Sequence, residues 1–408
     1  MRQHVILLGP DLFSAYHEMA RGLKEVGALV TGIGHTPKER LDPQLRWLLD
    51  QYAQAGSLMD AESVLAAVRR VAKGQEVDLL ETGDESLIMV AAQARKALGI
   101  PGQSVRSAQL CRDKPAMKEA LRQAGVPTAA STGVQSLDEL REFVEREGFP
   151  VILKPRSALG GLGTYRADDV RELEAAARAL GVHQGKAAAV EEFVEGHEGF
   201  YDTLCRDGQV LHEFISHYFP NVLEALDDRR ISPQIAATNR VSLSSYDELK
   251  AMGRKAIEVL DIGTGATHME WFFGPKGLKF SEIGSRPPGE RIWDLYSAGN
   301  EMDLWREWAM VVVHRRRGAV PSRRYATGSV QVRPNRDGHI VGYEGVREVM
   351  ARCRPYLTEH RLPPKGTATD PIHKGYYNNV WFRLRHPNYD ELLQLMDYIG
   401  ENLTVRAA

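Results

Sequence analysis

Two glutamates lie inside apolar runs of the chain, where isolated carboxylates are costly. Glu270 belongs to the run ATHMEWFF and Glu282 to LKFSEI, and the turn Gly-Pro-Lys-Gly at residues 274–277 separates the two runs. Alternating apolar residues on both sides of such a turn predict a β-hairpin that aims both carboxylates at one spot. Two neighbouring anions in a partly buried sheet need a cation, and Mg²⁺, usually held by one or two carboxylates, is the simplest partner. A surface hairpin with solvated glutamates is the alternative from this segment alone.

A guanidinium and an imidazole flank these acids. Arg286 follows Glu282 by four residues and precedes Pro287-Pro288-Gly289. The guanidinium of Arg286 is well placed to bind a carboxylate or phosphate through two parallel hydrogen bonds. His268 lies two residues before Glu270 and therefore on the same strand face. We interpret His268 as a candidate substrate contact, although a structural histidine fits the position equally well.

Two lysines and a glycine-rich segment indicate phosphate binding. Lys114 would begin a helix capped by Asp113, where the helix dipole disfavours a cation unless an anion lies nearby. Lys154 ends the predicted strand VILKP and precedes SALGGLG at 157–163, whose glycines would let backbone N–H groups wrap phosphate oxygens. This segment is not a Walker loop, which would read GxxxxGK[ST]. Tight turns use the same residues, so a simple turn remains the alternative.

The following segment, VEEFVEGHE at 190–198, is strand-like and then turns at Gly196. Backbone groups of Glu192 and Val194 could pair with the edge of an adenine. Glu198 could accept hydrogen bonds from ribose hydroxyls. The residue chemistry permits this interpretation without requiring it.

The elements that must position these residues begin with alternating strands and helices. The run HVILLG, an amphipathic segment at 14–27 and the run ALVTGIG predict the strand, helix, strand order of a parallel, Rossmann-like sheet. Its first turn, GPDLFSAY, lacks the GxGxxG spacing, so we expect no dinucleotide there. Glu81, Asp84 and Glu85 fall at the carboxyl end of the strand VDLLETG, where open α/β sheets bind ligands, unless they only cap the next helix.

The rest of the chain predicts further strands and helices. The strands YDTLC and VLHEFI meet at Asp207-Gly208, a hairpin signal. Residues 299–316 predict a core helix rich in Trp and Met. From Tyr325 onward the pattern is strand-rich and ends in a helix, which predicts a compact α+β tail.

Length, charge and cysteines limit the class of protein. At 408 residues the chain exceeds a single core and predicts two or three domains. A net charge of -2 gives no electrostatic reason to expect nucleic acid or a membrane surface as a partner. Cys111, Cys205 and Cys353 lack metal-ligand spacing and do not indicate a disulfide framework. With no signal sequence and no long apolar run visible, we expect a cytoplasmic protein.

The order of the motifs resembles the ATP-grasp superfamily. The similarity spans about residues 105–290, and five motifs carry it: RDKPAMKEAL with Lys114, VILKP with Lys154, SALGGLG, VEEFVEG and MEWFF…FSEIGSRPPG. The flanking parts resemble those of the branch that includes biotin carboxylase and the L-amino-acid ligases. The resemblance implies a mixed α/β and α+β fold with three domains: a Rossmann-like pre-ATP-grasp domain at 1–105, an ATP-grasp domain at 106–318 with a lid subdomain at about 127–196, and an α+β C-terminal domain at 319–408.

The resemblance also implies an activity. An ATP-grasp carboxylate–amine ligase would join a small carboxylic acid to an amine through an acyl phosphate, with release of ADP and phosphate. A biotin-carboxylase-like enzyme is one alternative, although the chain shows no AMKM-like biotin attachment motif. A nucleotide-binding protein without turnover is another. A homodimer is the commonest default for the assembly.

Each motif then has an implied role. Glu270 and Glu282 would bind Mg²⁺, with Mn²⁺ as a possible replacement, Arg286 would steady the acyl phosphate and His268 would contact substrate. The residues implied to bind ATP are Lys114, Lys154, Ser157, Gly160, Gly161, Gly163, Glu191, Glu192, Phe193, Val194 and Glu198. The sequence departs from the family pattern after the second acid, Glu282. In most relatives this acid is followed two residues later by Asn, in a pattern like E-[IV]-N-x-R. Here Gly284 stands at that position, which leaves the number of metal ions open.

Overall fold

Four parallel strands near the start of the chain form the N-terminal sheet. The computed structural model describes residues 2–72, 74–157, 163–289, 291–372 and 379–408. The elements of this first region are β1 (His4–Leu8), α1 (Ala15–Glu25), β2 (Leu29–Gly34), α2 (Pro43–Leu48), β3 (Gln51–Gln54), α3 (Ala61–Ala72), β4 (Leu79–Glu81), α4 (Ile88–Leu98) and α5 (Val105–Arg112). The strand order β3-β2-β1-β4, with every pairing parallel, confirms the predicted strand, helix, strand arrangement.

A small antiparallel sheet, which we call the lid sheet, carries Lys154 and Glu191. The elements around it are α6 (Lys114–Gln123), β5 (Ser131–Val134), α7 (Leu137–Glu147), β6 (Val151–Pro155), β7 (Tyr165–Ala167), α8 (Val170–Leu180) and β8 (Ala188–Glu192). The strand order is β5-β8-β6-β7, and Ile152 pairs with Glu191 across β6 and β8. Because side chains alternate along a strand, Lys154 shares a sheet face with Ile152 and therefore with Glu191.

An antiparallel sheet of eight strands, which we call the central sheet, occupies most of the remaining chain. The elements are β9 (His197–Arg206), β10 (Gln209–Phe219), α9 (Val222–Asp227), β11 (Gln234–Ala237), α10 (Asp247–Val259), β12 (Gly265–Gly274), β13 (Gly277–Gly284), α11 (Ile292–Asn300), α12 (Leu304–His314), β14 (Ala326–Gln331), β15 (Ile340–Glu344), α13 (Val346–Cys353), β16 (Leu357–Arg361), β17 (Trp381–His386), α14 (Tyr389–Asn402) and β18 (Thr404–Ala407). The strand order of the central sheet is β13-β12-β9-β10-β11-β14-β17-β16, and β15 and β18 pair with each other in a separate two-stranded sheet. Strands β14, β16 and β17 of the predicted tail thus continue the sheet that holds the glutamate hairpin. The proposed domain boundaries stay predictions.

The hairpin predicted from the glutamate runs is present as β12 and β13. Glu270 lies directly opposite Glu282 in the register of the two antiparallel strands. Cross-strand partners share a sheet face, so both carboxylates project to the same side. The predicted hairpin and the shared face of the two acids are therefore confirmed, although the pairing also depends on a register shift that skips Ser281 on β13.

One predicted helix is shorter than expected and a second helix was missed. The pattern at 299–316 predicts one helix, whereas α12 spans Leu304–His314 and α11 precedes it. The two helices separate because Glu301 has a left-handed backbone with φ of 52°, and the Asp303 side chain then caps α12 by accepting from the N–H of Arg306. Trp305 and Trp308 are buried, as the core interpretation predicts. The sequence reading also missed α13, β16 and β18.

Helix α1 of the N-terminal region packs directly against α12. A Cβ at Gly22 would lie 2.6 Å from the carbonyl oxygen of Trp305, so the backbones of the two helices approach closely there. Tyr16 and Met19 share one buried core with Trp305. This packing fixes the carboxyl edge of the N-terminal sheet relative to the central sheet. Of the helices in the described ranges, none combines the length and apolar character needed to cross a membrane.

We predict that the two glycines of the hairpin turn differ in their tolerance of alanine. A Cβ at Gly274 would lie 2.0 Å from the carbonyl oxygen of Glu195. A Cβ at Gly277 would meet no atom within 4 Å, so the only obstacle to alanine there is the left-handed backbone, with a φ of +79°. Gly277→Ala should cost about 1–2 kcal/mol of unfolding free energy, the usual cost of a left-handed backbone. Gly274→Ala should cost about 3 kcal/mol or more, because backbone atoms must move. Urea unfolding followed by tryptophan fluorescence measures both, and equal losses would contradict the close approach.

Candidate active site

The predicted site residues surround one cavity of about 1310 Å³. Its walls come from the carboxyl edge of the N-terminal sheet, from the lid sheet and from the β12–β13 hairpin. The predicted residues that line it are Lys114, Lys154, Glu191, Glu192, Phe193, Val194, Glu198, His268, Glu270, Glu282 and Arg286. Ser157 and Gly163 are described by the structure but are not among these lining residues. Gly160 and Gly161 lie outside the described residues.

Two lysines share one carboxylate at the lid side of the cavity. The Nζ atoms of Lys118 and Lys154 lie 2.7 and 2.9 Å from the same oxygen of Glu191, Oε2. Burial would raise the pKa of Glu191, but the two lysines outweigh burial and hold it at about 2. Burial lowers the pKa of Lys118 to about 8. The other oxygen, Glu191 Oε1, is buried and has no hydrogen-bond partner within the described part of the chain.

The third lysine holds one member of the glutamate pair. Lys114, the first residue of α6, forms an ion pair with Glu282. Burial would raise the pKa of Glu282, but Lys114 and Lys154 outweigh it and hold it at about 2. The cap predicted for α6 is present, since the Asp113 side chain accepts a hydrogen bond from the N–H of Ala116. Glu282 is thus the anion beside this lysine at the helix start, and the expected phosphate contact of Lys114 stays a prediction.

A further carboxylate, Glu198, faces the same cavity. Burial raises the pKa of Glu198 to about 8, and the negative charge of Glu270 adds to that shift. One of its oxygens accepts a hydrogen bond of 2.7 Å from the N–H of Val222. The group is thus fixed by the backbone and well placed to exchange protons or hydrogen bonds with a ligand.

The predicted adenine-binding segment is partly occupied by protein contacts. The N–H groups of Glu192 and Phe193 donate to the carbonyl oxygens of Ala130 and Pro150, at 2.9 and 3.1 Å. These two N–H groups are therefore used within the protein, and the pairing of a base with backbone groups of Glu192 and Val194 stays a prediction. The segment still contributes Glu191 to Val194 to the wall of the cavity.

His268 is held as a cation next to Glu270. Its Nδ1 lies 2.6 Å from Asp202 Oδ1, and its Nε2 lies 3.8 Å from Glu270 Oε1. Burial would lower the pKa of His268, but Asp202 and Glu270 raise it to about 9. Tyr296 donates to the other oxygen of Asp202 at 2.6 Å and fixes that carboxylate. The predicted shared face of His268 and Glu270 is confirmed.

Arg286 contacts an acid from the N-terminal sheet. Its Nε lies 3.0 Å from Glu85 Oε2, while Glu85 Oε1 lies 2.8 Å from Nη1 of Arg112. Of the three acids noted after β4, Asp84 has the capping role, since it accepts from the N–H of Ser86. Glu81 pairs with Arg95 at 3.7 Å. Of these three acids, Glu85 is the one that forms an ion pair with a predicted site residue.

The glutamate pair offers the donors that a hard cation needs. Glu270 and Glu282 present carboxylate oxygens from opposite positions of the hairpin, and Mg²⁺ prefers oxygen ligands with few protein carboxylates. The described residues contain no cluster of three or more His, Cys, Asp or Glu side chains arranged to hold a metal. A Cβ at Gly284 would lie 3.4 Å from Glu85 Oε2 and 3.5 Å from Cγ of Arg286. Glu85 and Arg286 therefore pack against position 284.

Three contributing residues were missed from the sequence. Lys118 follows Lys114 by one helical turn, so two lysines on one face of α6 were a readable signal. Arg112 and Asp202 carried no such signal, because their partners come from distant parts of the chain.

We predict that Lys118 stabilises the fold through Glu191. The Lys118 side chain is 1% exposed, so Lys118→Ala would leave Glu191 with one lysine and open a buried void. The expected loss of unfolding free energy is about 2–4 kcal/mol, measured by urea unfolding. Lys255→Ala removes a lysine whose side chain is 43% exposed in its ion pair with Glu258, and should change stability by less than about 1 kcal/mol. A loss for Lys118→Ala as small as that of the control would contradict the buried pair.

Comparisons with known proteins agree with this architecture. Residues 119–298 match the family model of the ATP-grasp domain. The alanine–anticapsin ligase of Bacillus amyloliquefaciens is 29% identical over 231 residues, covering 51% of this chain and 48% of that protein. The L-arginine-specific L-amino acid ligase of Bacillus subtilis is 25% identical over 244 residues, covering 58% of each chain. The matched region thus spans about half the length of these curated relatives.

A solved structure extends the similarity over the whole fold. The crystal structure of an L-amino acid ligase from Bacillus licheniformis superimposes with a TM-score of 0.78, covering 100% of this chain and 99% of that one. At 17% sequence identity this likeness concerns the fold alone. The family model that matches residues 119–298 shows that the chain contains an ATP-grasp domain.

Proposed function

We propose that this chain is an ATP-dependent carboxylate–amine ligase that forms an amide through an acyl phosphate. The observation that carries the proposal is the meeting of three buried lysines with the opposed Glu270 and Glu282 in one large cavity. Ammonium groups and carboxylates that neutralise each other in this way can exchange partners when a triphosphate with a divalent cation arrives. The lysines then donate to phosphate oxygens, and the acids then face the cation.

The nucleotide fits the lid side of the cavity. Lys114 and Lys154 supply positive charge for the phosphates, and the segment 191–194 supplies a wall for the base. Glu191 Oε1 is a buried acceptor that lacks a donor among the described residues, and such an atom is costly unless a ligand satisfies it. The 6-amino group of adenine is a suitable donor, whereas guanine presents an oxygen at that position. This chemistry favours ATP over GTP.

The metal site would be the glutamate pair. Glu270 and Glu282 would hold Mg²⁺, or Mn²⁺ in its place, and the ion would neutralise phosphate oxygens and these carboxylates together. The protein's own contribution is to hold the two acids in register on a hairpin. Lys114 and Lys154 keep Glu282 ionised, and an ionised carboxylate is the form that binds a cation.

The reaction follows from charge and position. A substrate carboxylate oxygen bonds to the γ-phosphorus as the bond from that phosphorus to the bridging oxygen breaks, and ADP leaves with the electron pair. An amine nitrogen then bonds to the acyl carbon, phosphate leaves, and the nitrogen loses a proton. Arg286 and the lysines neutralise the charge that moves in both steps, and His268 offers a cationic N–H in the same cavity. Positioning and charge neutralisation dominate catalysis of phosphoryl transfer.

The names of the relatives support amino acids as substrates. One relative is named for joining alanine and anticapsin, and the other for specificity toward L-arginine. We therefore propose an amino acid as at least one of the two partners in the amide bond.

We predict that ATP binding depends on Lys154. At a hundredfold excess over its dissociation constant, ATP should stabilise the wild type by about 2.7 kcal/mol, visible as a rise in melting temperature. Lys154→Ala removes the lid lysine next to the proposed phosphates and should reduce this rise by more than half at the same ATP concentration. Lys255→Ala should keep the wild-type rise, and GTP should produce a smaller one than ATP. A full rise for Lys154→Ala would contradict the placement of the nucleotide.

We also predict turnover that needs both substrates. Wild-type protein with ATP, Mg²⁺ and paired amino acids should release phosphate and ADP, whereas ATP alone should not. Glu282→Gln should lower the rate by at least about 100-fold, as expected when charge stabilisation is lost, with the fold intact by circular dichroism. Glu258→Gln, at a surface position on α10, is the matched control and should retain activity. Phosphate release that requires bicarbonate and biotin instead of an amine would contradict the ligase and identify a carboxylase.

A further inference from the structure

A single carboxylate from the N-terminal sheet lies between two arginines beside the cavity. Glu85 is 7% exposed and follows β4. It accepts from Arg112 at the end of α5 and from Arg286, which follows β13 and lies 201 residues away in the chain. Hydrogen bonds to charged groups with this geometry are strong and directional. Glu85 therefore connects two regions that the chain itself does not bring together.

The donors of Arg286 show what this contact fixes. Its Nε donates to Glu85 at 3.0 Å and its Nη1 donates to the carbonyl oxygen of Pro287 at 2.7 Å. These two contacts set the plane of a rigid guanidinium. Nη2 has no hydrogen bond to any residue of the described ranges, and Arg286 lines the cavity. Nη2 of Arg286 is therefore left to donate to a ligand, while Nε and Nη1 fix the orientation of the guanidinium.

Gly284 makes room for this contact. An added Cβ would lie 3.4 Å from Glu85 Oε2, an ordinary van der Waals distance, so alanine fits. Atoms of Arg286 lie 3.5 and 3.7 Å from the same added Cβ, so both partners of the ion pair pack against this position. Position 284, where most relatives have Asn, therefore borders the contact between Glu85 and Arg286.

Arg112 extends the contact to the glycine-rich segment. While Nη1 of Arg112 binds Glu85, its Nη2 donates to the carbonyl oxygen of Ser157 at 3.3 Å. Ser157 is the first residue of the segment SALGGLG. Glu85, which follows β4, is thus linked to Arg286 directly and to the backbone of Ser157 through Arg112.

We propose that Glu85 is a positioning residue for ligation, which orients Arg286 toward the acyl phosphate without touching the reacting atoms. This role rests on the proposed ligase function. It gives the N-terminal sheet a direct part in the chemistry, because the orientation of the Arg286 guanidinium depends on an acid that the sheet presents. A group that only stabilised the fold would lower stability when removed and leave the chemical step of the remaining folded protein unchanged.

A double-mutant cycle with Arg286→Ala tests this role. We expect Glu85→Gln to lower kcat at least tenfold while the KM for ATP stays within twofold, because the nucleotide contacts are elsewhere. In the Arg286→Ala background, adding Glu85→Gln should change kcat less than twofold, since the group that Glu85 orients is already gone. Glu81→Gln is the matched control, because Glu81 is also paired with an arginine at the end of β4 but does not contact Arg286. It should keep kcat within twofold.

Two outcomes would overturn the role of Glu85 while leaving the ligase intact. One is an unchanged kcat for Glu85→Gln, and the other is the same loss of kcat in both backgrounds, which would show that Glu85 acts independently of Arg286. Urea midpoints of the same four proteins add a readout without turnover, and we expect the double variant to lose less than the sum of the single losses. Additive midpoints would show that the contact does not form. A wild-type protein without turnover for any acid and amine would instead overturn the ligase proposal.

Discussion

Mutual neutralisation of buried charges is the constraint on which this active site depends. Three lysines and several glutamates lie in or near one cavity, and each would be costly to bury alone. The lysines hold Glu191 and Glu282 ionised, while Glu198, which has no lysine bonded to it within the described residues, has its pKa raised by burial and by Glu270. The charges of the site therefore compensate one another, and the lysines could rebind to a polyanion while the glutamates rebind to a cation.

The topology explains why these charges meet. Helix α6 supplies Lys114 and Lys118 one turn apart, the lid sheet supplies Lys154 and Glu191 on one face, and the hairpin supplies Glu270 opposite Glu282. Each pair is fixed by the periodicity of its own element. Helix α6, the lid sheet and the hairpin face one another, and the contacts of Lys114 with Glu282 and of Lys118 with Glu191 join the three pairs into one cluster. The N-terminal sheet adds Glu85, which contacts Arg286 across the cavity wall.

Local patterns predicted much of the site, and long-range contacts account for what was missed. The turn at 274–277 was readable and predicts the hairpin, but its regular register would pair Glu270 with Ser281. A register shift between Glu270 and Trp271, which skips Ser281 on β13, brings Glu282 opposite Glu270, and the turn does not encode it. The partners of Glu85 and the contact of Asp202 with His268 join residues at least 27 positions apart, and no short pattern encodes them. The same reason explains the tail, in which β14, β15 and β17 were predicted but the membership of the tail in the central sheet was not.

The most direct measurement is a crystal structure of the protein with ATP or ADP and Mg²⁺. The account predicts a cation about 2.1 Å from oxygens of both Glu270 and Glu282, with Lys114 and Lys154 donating to phosphate oxygens. It also predicts that Lys114 has left Glu282, because the phosphates replace that carboxylate as its partner. A nucleotide bound elsewhere, or Glu270 and Glu282 pointing apart with no ion between them, would contradict the central claim.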